Sequence, residues 1–334
     1  MHKWIDVHTS AAEIKMIGID IFMLYSILSK GGLLSPVTYA VSFLMAFFAI
    51  KYFMKLLPKD QGRKFAVNGA LSEGKPRGAG IIMTTVFVLC SALFAPFSLE
   101  TALYMVLIYA AMLTGYFDDA AENPWGELKK GLLDLVITAG VTANFMVHNS
   151  TDIRIFHTTI HIPAVIFAIL CMILVWASIN VTNCCDGVDG MCGTLSGVTI
   201  TLFILHGLPA SMRISSYVML MVLAAYLWFN CSPSKILMGD AGSRSIGVFL
   251  AVISLKSADP LLFIFFASVI IVDGGLGLLK LSCRRFLGMK NFMEKVRTPI
   301  HDHWRKNLGV GDTQVVVRFA LIQLVIGLIA LRLV

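Results

Sequence analysis

One short stretch of this sequence carries the densest set of side chains able to bind or transform a ligand. Residues 180–193 hold Asn180, Asn183, Asp186 and Asp189 at three-residue spacing, with Gly187 and Gly190 among them. Side chains at i and i+3 are neighbours on a helix, and glycine allows backbone to approach a ligand closely. Because long apolar segments flank the stretch, its carboxylates lie at a membrane boundary, where ionisable residues usually serve function.

Three further carboxylates lie at the ends of apolar segments. Asp118 and Asp119 are adjacent, and their repulsion is relieved by a divalent cation or a shared proton; a solvated acidic helix end is the alternative. Neighbours diverge by about 100° around a helix, so the two need not share one role. Asp240 lies between glycines before another apolar segment. Hard oxygen ligands beside exposed amides suit Mg²⁺ with a phosphate, although a turn with an N-cap also explains them.

Basic and histidine-containing segments complete the candidate set. The segment 58–80 is interrupted by glycine and proline, and its cations suit either anionic phosphates or anionic headgroups. His301 and His303 flank Asp302, a pattern compatible with zinc, acid/base chemistry or phosphate binding. Since no further zinc ligands are evident nearby, phosphate or substrate contact is favoured. The glycines that follow Asp273 lie inside an apolar run and predict a bent or broken helix.

The elements that position these residues are long apolar segments. The chain has 334 residues, of which 57% are apolar and 14% charged, and its mean hydropathy is +0.80. Apolar runs of this kind are typical of transmembrane helices. They cover 34–57, 78–97, 99–117, 131–148, 162–180, 193–209, 214–231, 243–256, 259–282 and 315–333. The sequence therefore predicts an all-α polytopic integral membrane protein with about ten transmembrane helices, one of the later ones bent or broken.

The domain organisation follows from the same pattern. Residues 34–334 are predicted to form a single transmembrane catalytic domain, and residues 1–33 an N-terminal interfacial segment. Within the latter, 14–30 is amphipathic, as expected of a helix lying in the membrane surface.

The distribution of charge predicts the orientation in the membrane. The loops 55–77, 118–130, 235–244 and 280–306 hold 6, 2, 2 and 8 Lys or Arg, or 18 of the 27 in the chain. Positively charged loops face the cytoplasm, so the candidate site is predicted on the cytoplasmic face. With ten spans, both termini then lie outside. Because the charge follows topology, nucleic acid is not indicated as a partner.

Taken together, the inner loops present carboxylates surrounded by basic residues at the membrane surface. A transporter, the alternative from another class, more often places its ionisable groups near the midplane on interrupted helices. The pattern favours Mg²⁺-dependent phosphoryl transfer between a soluble anionic substrate and a partner in the lipid bilayer, because positioning and charge neutralisation are the main demands of that reaction.

The ordered motifs resemble those of the polyprenyl-phosphate N-acetylhexosamine-1-phosphate transferases, and within them the phospho-N-acetylmuramoyl-pentapeptide transferase family. The resemblance extends over nearly the whole chain from about residue 34. Asp118-Asp119 matches the paired aspartates of the family. Residues 180–190 match its N-x-x-N-x-x-D-G-L-D-G motif, with Val188 in place of Leu. Asn230 with 238–243 matches its N…M-G-D-x-G-S motif, and 298–304 match its T-P-L-H-H-H-F pattern.

The resemblance implies a reaction and its partners. UDP-MurNAc-pentapeptide and undecaprenyl phosphate would give lipid I and UMP, with Mg²⁺ as cofactor, at the bacterial cytoplasmic (inner) membrane. A homodimer is compatible with this reading, since the sequence does not determine the oligomeric state. The sister activity, transfer of GlcNAc-1-phosphate to the same lipid, is the alternative, and the histidine pattern of 298–304 argues against it.

The resemblance also implies residue roles. Asp240 is expected to hold the metal, with Asp118 as a second ligand. Asp118 is also expected to be the base that deprotonates the lipid phosphate, or a nucleophile in a two-step scheme, and Asp119 to assist. The expected uridine-site residues are Gly187, Val188 and Asp189. The other expected substrate contacts are Lys75, Lys130, Asn180, Asn183, Asp186, Asn230 and His303, and His301 is expected to contact phosphate as part of the catalytic set.

Four positions depart from the family pattern. Asp302 stands in place of the central histidine. Ser72 stands in place of a lysine, and Lys75 is the candidate to serve instead of that lysine. Glu122 stands where a second lysine is expected. Leu237 stands where an aromatic side chain would stack on uracil, so another ring is needed for that contact.

Overall fold

A computed structural model of the chain describes residues 34–62, 72–123, 125–155, 157–289 and 291–334. Its α-helices in these ranges are α1 (Leu34–Phe53), α2 (Gly80–Phe94), α3 (Leu99–Asp119), α4 (Glu127–His148), α5 (Ala164–Cys185), α6 (Met191–His206), α7 (Ala210–Asn230), α8 (Gly239–Lys256), α9 (Leu262–Phe266), α10 (Ser268–Phe286), α11 (Ile300–Lys306) and α12 (Asp312–Arg332). A 3₁₀ turn, Met54–Leu56, follows α1. The predicted interfacial segment 14–30 lies outside the described residues.

Except for α11, the helices of the described chain coincide with the ten predicted apolar segments, the ninth of which holds both α9 and α10. In the described chain, six helices are long and apolar enough to cross a membrane, and α2 and α6 are shorter apolar helices. The six are those at Ser35–Leu56, Leu99–Asp119, Glu127–His148, Ala164–Cys185, Ala210–Asn230 and Asp312–Arg332. The protein is a polytopic all-α membrane protein, which confirms the predicted fold class.

Helix α8 is the centre of the bundle. All residues from Ala241 to Leu255 are buried, and the helix packs against α2, α3 and α5. Its small residues allow this close packing, as is usual between membrane helices. A Cβ at Gly247 would lie 2.7 Å from the Cα of Ile179. The helix that contains the predicted apolar segment 243–256 begins earlier, at Gly239. Asp240 therefore lies in the first turn of the central helix.

The predicted bent or broken later helix is confirmed as a broken one, but the break does not lie at the glycines that follow Asp273. The chain leaves helical geometry at Ala267, between α9 and α10, and runs as continuous helix through the glycines that follow Asp273. Those glycines serve helix packing instead. A Cβ at Gly274 would lie 2.5 Å from the carbonyl oxygen of Val181, so its absence lets α5 approach α10.

The structure also contains a β-hairpin that the sequence did not predict. Strands β1 (Asp152–Ile155) and β2 (Thr158–His161) pair antiparallel between α4 and α5, with Asp152 opposite His161. Arg154 fixes the hairpin to the loop after α8, because its N–H donates to the Ala258 carbonyl (2.9 Å) and its Nε lies 2.9 Å from Asp259 Oδ2. This is the end of the bundle opposite to Asp240, about 27 Å away along an 18-residue helix.

Candidate active site

The loop between α1 and α2 is fixed by backbone hydrogen bonds to the segment that precedes α8. We call its described residues, 57–62 and 72–79, the first loop. The N–H of Arg77 donates to the Pro58 carbonyl (2.8 Å), which closes the loop on itself. The N–H of Leu237 donates to the Pro76 carbonyl (2.8 Å), and the N–H of Ala79 donates to the Leu237 carbonyl (3.1 Å). Arg77 is thereby held beside the start of α8.

The guanidinium of Arg77 meets three carboxylates from three parts of the chain. Its Nη1 donates to Asp60 Oδ1 (3.0 Å), within the first loop. Its Nε lies 2.9 Å from Asp119 Oδ1 at the end of α3, and its Nη2 lies 3.6 Å from Asp240 Oδ1. Burial alone would lower the pKa of Arg77, but the three carboxylates outweigh burial and raise the pKa above its ordinary value.

Lys130, near the start of α4, joins the same cluster from the other side. Its Nζ forms an ion pair with Asp118 Oδ2 and lies 3.3 Å from Asp240 Oδ2. The other oxygen of Asp118 accepts a hydrogen bond from the Trp125 N–H (2.7 Å). Asp118 therefore pairs with Lys130 while its neighbour Asp119 pairs with Arg77, as the 100° divergence of adjacent helical residues predicts.

Glycines allow the carboxylates to come this close. Gly239 has φ +72°, and a Cβ there would lie 2.2 Å from Asp119 Oδ2 and 2.9 Å from the backbone nitrogen of Gly78. In the space that remains, Asp119 Oδ2 accepts a hydrogen bond from the Ala241 N–H (3.1 Å). The N-terminus of α8 thus donates to a carboxylate of α3, which is a favourable arrangement at the positive end of a helix dipole.

The cluster suits a divalent cation that also binds phosphate. Its four carboxylates (Asp60, Asp118, Asp119 and Asp240) face two cations (Arg77 and Lys130), so its formal charge is −2. The Oδ2 atoms of Asp118 and Asp240 already converge on one positive charge, the Lys130 ammonium. Among the described residues no group of three or more His, Cys, Asp or Glu could hold a metal by itself. Mg²⁺ typically needs only one or two carboxylates when phosphates and waters complete its coordination.

A cavity of about 540 Å³ opens beside the cluster. It is lined by the first loop, by the turn after α5, by the 232–237 segment and by α11 and the start of α12. Arg77 lies on the boundary, since it lines the cavity and also contacts Asp119 and Asp240. The volume falls in the range typical of small-molecule sites. Seven of the predicted substrate or catalytic residues line it: Lys75, Asp186, Gly187, Val188, Asp189, Asn230 and His301.

His301 is the most firmly fixed of the cavity residues. It is 2% exposed, its Nδ1 lies 2.8 Å from Asp273 Oδ2, and its N–H donates to Asp273 Oδ1 (2.7 Å). Asp273 on α10 thus determines the orientation of the ring, a role that a histidine used in chemistry requires. The Nε2 edge faces the turn after α5, because a Cβ at Gly187 would lie 2.1 Å from this atom. Gly187 is the residue that leaves room for the imidazole.

Asp189 and Asn230 join the turn after α5 to the 230–237 segment in the cavity wall. Asp189 Oδ2 accepts a hydrogen bond from the Ser234 N–H (2.9 Å) and lies 3.9 Å from Lys75 Nζ, which also donates to Ser234 Oγ (3.0 Å). Asn230 uses its side-chain oxygen to accept from the Gly190 N–H (2.8 Å) and its amide to donate to the Ile236 carbonyl (2.7 Å). Asn230 therefore ties the two wall segments together, which is a positioning role.

Besides Lys130, which belongs to the carboxylate cluster, three predicted substrate contacts do not line this cavity. Asn180 donates to the Trp176 carbonyl one turn earlier in α5 (2.9 Å), and Asn183 donates to Ser243 Oγ on α8 (3.1 Å). His303 Nδ1 accepts a hydrogen bond from the Arg297 N–H (3.3 Å). None of the three is among the residues that line the cavity in the described chain. Their assignment as substrate contacts stays a prediction.

The sequence analysis missed two members of the cluster, Arg77 and Asp60. The sequence marks the segment 58–80 as rich in cations, but it does not show which of them meets the carboxylates of α3 and α8. Arg77 directly precedes Gly78-Ala79-Gly80, and a Cβ at Gly80 would lie 2.0 Å from the backbone nitrogen of Gly242. The sequence signal that could have identified Arg77 is a cation directly before glycines that start a tightly packed helix.

Comparison with known proteins agrees with the geometry. A family model described as glycosyl transferase family 4 matches residues 101–258. The phospho-N-acetylmuramoyl-pentapeptide-transferase of Treponema pallidum (strain Nichols) is 38% identical over 301 residues, which cover 82% of this chain and 83% of the relative. Proteins of the same name from Dictyoglomus turgidum and Fusobacterium nucleatum are 26% identical over 298 residues and 28% identical over 338 residues. These matches cover 86% and 88% of this chain and 94% and 91% of the relatives.

The fold defines a polytopic membrane protein, and residues 101–258 match the glycosyl transferase family 4 model. The chain belongs to the phospho-N-acetylmuramoyl-pentapeptide-transferase family, because it shares 38% identity with a member over most of both chains. The resemblance carried by the sequence motifs is thereby confirmed.

Proposed function

We propose that this chain transfers phospho-MurNAc-pentapeptide from its UDP-linked form to undecaprenyl phosphate, giving lipid I and UMP. The observation that carries the proposal is the convergence of Asp118, Asp119 and Asp240 with two cations beside a cavity of about 540 Å³. Phosphoryl transfer demands positioning and charge neutralisation above all, and this cluster offers both. Membership of the family supports phospho-MurNAc-pentapeptide as the transferred group, and the donor and the lipid acceptor are those that the sequence resemblance implies.

In the proposed reaction an oxygen of the lipid phosphate attacks the sugar-linked phosphorus of the donor diphosphate. A bond forms between this oxygen and that phosphorus, the bridging P–O bond to UMP breaks, and UMP leaves with the electron pair. Asp118 accepts the proton of the lipid phosphate, a role supported by its place at the end of α3 beside Lys130. Lys130 and Arg77 screen the repulsion between two anionic reactants, which is the electrostatic part of the barrier.

The proposed cofactor is Mg²⁺, with Asp240 and Asp118 as protein ligands. When bound, it would neutralise charge on the diphosphate and on the leaving UMP. The formal charge of the cluster and the convergence of both carboxylates on the Lys130 ammonium support this assignment. Asp119 is held by Arg77 and by the Ala241 N–H, so its proposed role is to keep the guanidinium and the start of α8 in place.

The proposed setting is the bacterial cytoplasmic membrane, with the site on the cytoplasmic face and both termini outside. The excess of Lys and Arg in the loops around the site supports this orientation. Ile166, Ile169 and Ile173 lie one turn apart on α5 and are exposed, as expected of a surface that faces lipid. The acceptor would reach the cluster from the bilayer and the UDP-linked donor from the cytosol.

Release of UMP by the purified protein in vesicles tests the proposal. With undecaprenyl phosphate and Mg²⁺ present, we expect UDP-MurNAc-pentapeptide to be turned over at least about 10²-fold faster than UDP-GlcNAc, since the missing groups leave polar partners in the site unpaired. Removal of divalent cations with EDTA should lower the rate by about 10²-fold or more, and added Mg²⁺ should restore it.

Faster turnover of UDP-GlcNAc would assign the chain to the sister activity instead. Movement of donor or lipid across the vesicle membrane without release of UMP would make it a transporter. A full rate in EDTA would contradict the assignment of Mg²⁺ while leaving the transfer reaction in place.

Because His301 lines the cavity and His303 does not, we expect their substitution to have different effects on the rate of UMP release. His301→Gln removes the ring that Asp273 orients at the cavity wall, and we expect kcat to fall by about 10²-fold, the usual contribution of a positioned acid/base or hydrogen-bonding histidine. His303→Gln changes a ring outside the cavity lining, so kcat should stay within about threefold, and a rise in KM alone would mark the predicted substrate contact. Equal losses in the two variants would contradict the placement of His301.

A further inference from the structure

Arg77 is the cation of the carboxylate cluster that also lines the cavity. Its side chain is 21% exposed and lines the cavity, while its Nε and Nη2 face Asp119 and Asp240. Lys130, the other cation of the cluster, is not among the residues that line the cavity in the described chain. A phosphate at this boundary would therefore meet Arg77 from the cavity side.

The guanidinium is aimed by a buried carboxylate. Asp60 has a side chain only 2% exposed, and its Oδ1 accepts from Arg77 Nη1 (3.0 Å). Its Oδ2 accepts from Ser72 Oγ (2.6 Å) and from the Gly62 N–H (3.2 Å). Since the guanidinium is planar and rigid, fixing Nη1 also fixes the direction of Nη2 and Nε.

The remaining contacts of Arg77 leave hydrogen-bonding capacity unused. Nε and Asp119 Oδ1 are 2.9 Å apart, yet both are buried and neither makes a hydrogen bond, because the two groups are not aligned. Nη2 is 3.6 Å from Asp240 Oδ1, too far for a hydrogen bond. Buried polar groups without hydrogen bonds are uncommon and call for a partner.

We propose that Arg77 is the residue that binds the diphosphate of the donor, at the boundary between the cavity and the carboxylates. This inference rests on the proposed function. Arginine is well suited to the task, because its donors match phosphate oxygens in a bidentate manner. Arg77 also supplies the cation that position 72, where the family pattern has lysine, lacks in this chain. Ser72 and Arg77 both point at the carboxylate of Asp60, so a cation on either residue would reach the same place.

Binding of UDP and of uridine to the purified full chain, without Mg²⁺, tests this inference. Arg77→Gln should weaken UDP binding by about 10- to 100-fold, the range for hydrogen bonds to a charged group, and leave uridine binding within about threefold. Ser72→Lys added to Arg77→Gln should recover at least about tenfold of the lost UDP affinity. Arg154→Gln is the matched control, because it removes an Arg–Asp pair at the opposite end of α8 and should leave both affinities unchanged.

If Arg77→Gln does not fold, Arg77→Lys decides, because it keeps the charge and removes only the planar pair of donors. It should weaken UDP binding by about 3- to 10-fold at unchanged uridine affinity. Unchanged UDP affinity in the folded variant, or equal losses for UDP and uridine, would overturn the inference. The proposed function is tested separately, by UMP release from the unmodified chain. If the unmodified chain releases no UMP but Arg77→Gln still loses UDP affinity, the proposed function fails and the assignment of Arg77 to diphosphate binding stands.

Discussion

Replacing Asp240 with asparagine is expected to lower the rate of UMP release by about 10²- to 10³-fold or more, with little change in folding. Removal of one preorganised electrostatic group from an active site has an effect of this size. Asparagine keeps the volume of the side chain and removes its charge, so Lys130 and Arg77 lose one partner each. Each retains another carboxylate: Asp118 for Lys130 and Asp119 for Arg77. The folded cluster should survive while its binding of Mg²⁺ and diphosphate is lost.

The measurement is kcat for UMP release together with the thermal unfolding temperature in detergent. Asp152→Asn is the control, because Asp152 lies on the exposed hairpin at the far end of the bundle and should leave the rate within about threefold. A rate for Asp240→Asn equal to that of the control would falsify the proposed role of the carboxylate cluster. Loss of folded protein in Asp240→Asn alone would instead make Asp240 a structural residue of the α8 N-terminus.

The helical bundle is predictable from the sequence because its signal is local. A run of apolar residues such as 164–185 specifies a helix and its burial in a membrane without reference to the rest of the chain. The divergence of Asp118 and Asp119 was predictable for the same reason, since the helical repeat sets it. The hairpin Asp152–His161 was not, because four-residue strands carry too short a pattern to identify.

The composition of the cluster depends on contacts that sequence patterns do not encode. Arg77 pairs with Asp60 across 17 residues of the sequence and with Asp240 across 163. Which cation of a basic loop reaches a carboxylate is decided by backbone hydrogen bonds such as that from Leu237 to Pro76. The position of the helix break could not be predicted for the same reason. A glycine such as Gly274 is as typical of close helix packing as of a break, and its role depends on the neighbouring helix, here α5.

Gly115→Ala is expected to disrupt the site through the backbone and to cause the second large loss of activity. A Cβ at Gly115 on α3 would lie 2.4 Å from the carbonyl carbon and oxygen of Asp240 and 2.5 Å from the nitrogen of Ala241. These are backbone atoms of the central helix, so no side-chain rotation can relieve the overlap. Helix α3 and the start of α8 must separate, which moves Asp240 and the Ala241 N–H away from Asp119, whose carboxylate accepts a hydrogen bond from that N–H.

We expect Gly115→Ala to destabilise the protein by about 1–3 kcal/mol, the usual cost of overpacking. We also expect it to lower the rate of UMP release by more than tenfold, because misplacing an active-site group by about 1 Å can lower a rate by about 10²-fold. Gly131→Ala is the matched control, because Gly131 lies within α4 and a Cβ there meets nothing within 4 Å. That variant should gain about 0.5–1 kcal/mol from the better helix propensity of alanine and retain activity. If the two variants have the same unfolding temperature and the same rate, the close approach of α3 to α8 does not determine the geometry of the cluster.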